Sequence, residues 1–112
     1  MNEVRIYRIY IGQNRKEGHN LSTGEVVDTC EEAFAEYGIP GVTYIFGKGS
    51  WEGEQEQCTI AELVFDKDPE AAKLVATIAS SLAQALNQEK ILLTITDGLA
   101  GLVNPSGVDT GE

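Results

Sequence analysis

The sequence predicts an α+β sandwich of ferredoxin-like βαββαβ type: a four-stranded antiparallel sheet with two helices on one face. Three observations lead to this. Four apolar stretches alternate with the period of a half-buried strand, and two longer ones repeat with helical period between recognisable caps. They follow one another as strand, helix, strand, then strand, helix, strand, and two antiparallel halves of this kind close most economically into one two-layer sheet. The chain has 112 residues, of which 42% are hydrophobic, enough for one core.

Residues 4–11 (VRIYRIYI) open the pattern, placing Tyr7, Ile9 and Ile11 on one side of a strand and Ile6, Arg8 and Tyr10 on the other. The glycine-flanked, polar residues 12–21 form a loop. Ser22 and Glu25 stand in capping-box spacing at the head of a helix over 22–37, with Val27, Cys30, Phe34 and Tyr37 along its apolar stripe and Gly38 as its stop. After the Ile39-Pro40-Gly41 turn, residues 42–46 alternate as a second strand. Residues 47–57 are read as a hairpin connection longer than a tight turn. A third strand covers 58–66, with Ala61, Leu63 and Phe65 opposite Ile60, Glu62 and Val64. Asp68 then caps a helix whose first residue is Pro69, and Ala71, Leu74, Val75, Ile78, Leu82, Ala85 and Leu86 supply its stripe. Residues 91–96 (ILLTIT) are the fourth strand.

Residues 1–96 are thus expected to form the single domain. Residues 97–112, with four glycines, a proline and no sustained period, are expected to be a flexible tail. Helices on one sheet face leave the other in water. Ile6, Tyr10, Ile60 and Val64 belong to that open face, which is expected to be the interface of a homo-oligomer, a dimer or higher.

Eighteen acidic residues against eight basic ones give a formal charge of −10, which argues against nucleic-acid or membrane binding through a basic surface. The charge is uneven. Arg5, Arg8, Arg15 and Lys16 outweigh Glu3 and Glu17, so the first twenty residues are net +2 and the remainder is −12. A polar, charged start without an apolar run gives the expectation of a cytoplasmic protein without a signal peptide. Cys30 and Cys58 lack CxxC spacing and are expected to be reduced structural thiols.

Few motifs carry chemistry. Glu52, Glu54 and Glu56 alternate through the hairpin without the geometry of a calcium loop, and Asp66, Asp68 and Glu70 are explained by capping, so no metal and no cofactor is expected. Phe46-Gly47-Lys48-Gly49-Ser50 lacks the GxxxxGK[ST] spacing of a phosphate loop and leads to a strand. A single histidine, His19, excludes a multi-histidine site, and no acid–base pair stands at a familiar spacing, so no catalytic residue is assigned. The ligand-site candidates are Arg15, Lys16 and His19 in the first loop, with Arg8 and Arg5 on the preceding strand and backbone donors where the first helix begins. Trp51, the sole indole, either lines that site or an interface, or folds over the sheet edge.

Tyr10-Ile11-Gly12, residues 47–53 (GKGSWEG) and Leu86-Asn87-Gln88-Glu89 before the last strand together resemble a family of small bacterial and phage proteins of unassigned function, over residues 6–96. The resemblance implies a ferredoxin-like fold and supplies no catalytic residues. Phage occurrence suggests antagonism of host defence.

The function expected is therefore a non-enzymatic binding protein that sequesters a small anionic ligand, a nucleotide in particular. Two alternatives stand beside it. One is an acidic inhibitor that imitates nucleic acid and occupies a nuclease or other effector. The other is a small dimeric, cofactor-free enzyme.

Overall fold

The computed structural model describes residues 1–15 and 17–109. Its elements are β1 (Asn2–Gly12), α1 (Thr23–Glu36), β2 (Thr43–Trp51), β3 (Glu54–Asp66), α2 (Pro69–Ala85), β4 (Leu92–Ala100), β5 (Leu102–Asn104) and β6 (Gly107–Asp109). The first four strands to pair make one sheet in the order β2-β3-β1-β4, every neighbour antiparallel. This is the ferredoxin-like arrangement, with β1 and β3, the two strands that precede helices, at the centre.

Alternation decides which side chains meet the helices. Tyr7, Ile9 and Ile11 of β1 and Ala61 and Leu63 of β3 are buried, and they pack with Val26, Cys30 and Phe34 of α1 and Val75, Ile78 and Leu82 of α2. Each large apolar side chain removed from water here is worth roughly 1.5–3 kcal/mol. On α1 the buried valine is Val26, not Val27 as the stripe suggested; Val27 is half-buried. Phe65 meets Tyr7 edge-to-face, with ring centroids 5.7 Å apart and planes at 78°. Burial pushes the Cys30 thiol up to about 12, which suits a packing role.

The helix ends follow from local sequence. Ser22 caps α1 through a complete capping box, its Oγ accepting from the Glu25 N–H and its own N–H donating to the Glu25 carboxylate. Gly38 stops it at φ +70°, and the Ile39 N–H donates back to the Phe34 carbonyl at 2.8 Å. Asn87, at φ +53°, does the same for α2, with the Gln88 N–H on the Ala83 carbonyl at 2.8 Å. The Leu86-Asn87-Gln88 phrase is thus a C-terminal cap.

Two expected boundaries move. The long hairpin connection is instead strand on both sides: β2 and β3 pair out to Trp51 and Glu54, leaving only Glu52 and Gly53 as the turn. Both turn residues have positive φ, +50° and +83°, as a type I′ hairpin requires. The fourth strand passes Thr96 and runs to Ala100, paired with β1 as far as Asn2. Beyond it, β5 and β6 form a small antiparallel hairpin joined by Pro105 and Ser106, so part of the expected tail has regular structure. Residues 110–112 lie outside the described residues.

Candidate functional site

The proposed ligand residues are not gathered into one place. Arg8 lies on the open face, where its Nε donates to Glu62 at 2.9 Å. Arg5 is on the opposite face, bound to Asp97 at 3.0 Å, and Lys67 approaches the same carboxylate at 3.6 Å. Arg15 reaches the C-terminal end of α2, donating to the Leu86 carbonyl at 3.3 Å, where a cation suits the helix dipole. His19 Nε2 lies 3.0 Å from Glu25 Oε1 at the start of α1. Lys16 and the side chain of Trp51 lie outside the described residues.

The first loop does contribute to a site, through a residue at its root. The backbone closes it: the Leu21 N–H donates to the Gln13 carbonyl at 2.7 Å, and the Gln13 N–H donates to the Gln57 carbonyl at 2.9 Å. This continues the β1–β3 pairing by one residue and draws the Gln13 side chain inside, where it is 2% exposed. A buried amide must be satisfied, and this one is. Its Oε1 accepts from the fully buried Thr59 hydroxyl at 2.9 Å, and its Nε2 donates to the Leu21 carbonyl at 3.1 Å and the Thr23 Oγ1 at 3.3 Å, with Gln57 Oε1 at 3.5 Å.

Gln13 and its partners floor an open cleft of about 340 Å³ between the start of α1 and the β2–β3 ribbon, lined also by Phe46, Gly47, Lys48 and Cys58. Its polarity is one-sided. The side-chain oxygens of Gln13, Thr23 and Gln57 each already accept a hydrogen bond, while the Thr23 hydroxyl proton, the Gln57 amide protons and the Lys48 ammonium meet no acceptor among the described residues. Lys48 pairs with no carboxylate among the described residues. Phe46 is 59% exposed, an uncommon position for a large aromatic ring.

Behind the cleft, Glu56 lies across Gly12, where an added Cβ would stand 2.6 Å from both carboxylate oxygens, and its Oε2 accepts the Asn14 N–H at 3.1 Å. Burial, and then the Glu56 charge, push the Cys58 thiol upward, away from a nucleophilic thiolate. Among the described residues no group of three potential metal ligands converges, and no helix is long and apolar enough to cross a membrane.

Comparison with solved structures finds a match over most of the chain. A phage SAM lyase in complex with S-methyl-5'-thioadenosine superposes with a TM-score of 0.70 at 17% identity, covering 84% of this chain and 81% of that one. The fold is shared with a phage SAM lyase. A phage SAM lyase in its apo state gives a TM-score of 0.65 at 17% identity, over 83% of this chain and 79% of that one. No family model and no curated protein matches.

In the sequence pattern Phe46 ends the second strand and Gly47 and Lys48 belong to the connection after it, and nothing singles out Gln13, Thr23, Gln57 or Thr59. The available signal was the β-strand parity of residues 43–51, which sets Phe46 and Lys48 on the helix side. Gln13 carried no signal, since its burial depends on a loop closure between residues eight apart.

Proposed function

We propose that this protein binds S-adenosyl-type nucleosides in the Gln13–Phe46 cleft and cleaves S-adenosylmethionine, releasing S-methyl-5'-thioadenosine. In this reading it is a phage-type antagonist of host defence that acts in the host cytoplasm by depleting a nucleoside cofactor. The observation that carries it is the donor-lined cleft of about 340 Å³ beside an exposed aromatic ring, set in a fold shared with a phage SAM lyase. A nucleoside has ring nitrogens and ribose oxygens for those donors and a flat base for the ring.

The chemistry asks little of the protein. The carbon–sulfur bond breaks with its electron pair passing to sulfur, so the thioether leaves neutral and needs no general acid. The carbon is satisfied by the substrate's own carboxylate closing a ring, which needs no protein base either. The cleft lining holds no carboxylate or imidazole among the described residues, in keeping with that route. Positioning is then the main contribution.

Purified protein incubated with S-adenosylmethionine should release S-methyl-5'-thioadenosine, followed by chromatography and mass spectrometry, and the product itself should raise the melting temperature. Binding without release would return the reading to sequestration by a non-enzymatic protein. Neither binding nor release at millimolar ligand would reject the nucleoside reading and favour nucleic-acid mimicry. That alternative draws on α1, where Glu25, Asp28, Glu32 and Glu36 are exposed along one helix face. Self-association through the open face completes the proposal.

A further inference from the structure

We propose that Phe46 and Gln57 form the base subsite of this cleft: the purine lies on the Phe46 ring, and the Gln57 amide donates to a ring nitrogen. The inference rests on the nucleoside reading above and assigns the residues that discriminate the base.

Phe46 projects from the helix side of β2 and is flanked by Gly47, where an added Cβ would have no heavy atom within 4 Å. Gly47, of opposite parity, has its face on the other side of the sheet, and the Phe46 ring itself is open to a planar ligand because most of it is exposed. Strand pairing holds the backbone beneath it, Phe46 opposite Thr59 and Gly47 opposite Cys58, so the platform is rigid without being covered. An aromatic ring kept 59% exposed on a paired strand gains little from its own packing and gains most from a stacked base.

The Gln57 side chain lines the cleft next to the buried Gln13 amide. The Thr59 hydroxyl, donating at 2.9 Å, fixes which end of the Gln13 amide is oxygen, and that turns the Gln13 Nε2 toward Leu21, Thr23 and Gln57. Gln57 Oε1 stands 3.5 Å from that nitrogen, whose two protons are taken by the nearer Leu21 and Thr23 oxygens, so the Gln57 amide lines the cleft without a tight partner and can turn its N–H groups to a ligand. The subsite therefore offers a donor to the base edge. Adenine, whose ring nitrogens N1, N3 and N7 are all acceptors, suits it; a base presenting a protonated N1 at that edge does not. The Thr23 hydroxyl and Lys48 remain for the ribose and the chain it carries.

The test is titration calorimetry with S-methyl-5'-thioadenosine and with its deaza analogues, in which one ring nitrogen at a time becomes C–H. Loss of one base stack is worth a factor of roughly ten or more in affinity. Phe46→Ala should therefore weaken binding about ten-fold, and Phe46→Tyr should restore it. One deaza analogue should bind the wild type weakly and should lose nothing further in Gln57→Ala, because the missing partner is the same. Both positions are exposed, so the melting temperatures of the free variants should match the wild type. If the wild type binds the nucleoside and Phe46→Ala and Gln57→Ala bind it equally well, the subsite is wrong while the nucleoside reading stands. If the wild type does not bind it, that broader reading fails first.

Discussion

Single residues carry the start of α1. Glu25 takes the Ser22 N–H at 2.7 Å and sits 3.0 Å from His19 Nε2, and these bonds, the backbone one first, hold its carboxyl at about 2, below the usual 4.5. A depressed folded value stabilises the fold above the unfolded value and stops doing so as pH falls through the folded one. The contribution is therefore complete above about pH 4.5 and lost toward pH 2. Glu25→Gln should melt below the wild type at neutral pH, with the gap closing across that window in thermal unfolding followed by circular dichroism. A constant gap would show that the carboxylate charge is not involved. The capping box was legible because Ser22 and Glu25 stand three residues apart. Gln13 was not, since its partners Leu21, Gln57 and Thr59 come from a loop closure and a neighbouring strand.

At the scale of elements, the β2–β3 ribbon runs further than its composition suggests. Glycines at 47, 49 and 53 and glutamates at 52, 54 and 56 have turn composition, yet only Gly53 needs to be glycine for its backbone, at φ +83°. Gly49 lies in paired strand with no heavy atom near where a Cβ would stand. The two substitutions should part company. Gly53→Ala should cost about 1 kcal/mol, from placing a side chain on a left-handed backbone. Gly49→Ala should be neutral or stabilise by less than about 1 kcal/mol, because it restricts the unfolded chain at no native cost. Denaturant titration of both variants measures the contrast, and equal losses would mean that the turn is not of the tight two-residue kind. The ribbon also positions the candidate site: pairing Phe46 with Thr59 sets the exposed ring beside the buried Gln13–Thr59 bond. Strand parity was readable in the sequence, but the number of strand residues was not, because long-range pairing overrode local composition.

For the whole molecule, the sequence pattern placed Ile6, Tyr10, Ile60 and Val64 on the face turned from the helices, and the strand register sets them there in facing rows. Ile45 and Leu92 extend the patch to either side, and Val64 is 51% exposed. At its centre Arg8 and Glu62 neutralise one another at 2.9 Å. In a chain of net charge −10 that balance matters: a second copy is repelled by most of the surface and least by an apolar patch whose central charges cancel. The protein should therefore elute in light scattering as a multiple of 12.1 kDa at micromolar concentration. Val64→Asp with Ile60→Asp should shift it to the monomer by adding carboxylates to the patch. Salt should favour the wild-type oligomer, because at roughly 0.15 M the screening length of about 8 Å weakens repulsion between the acidic bodies and leaves apolar burial untouched. A wild type that stays at 12.1 kDa at every salt concentration would reject self-association through this face.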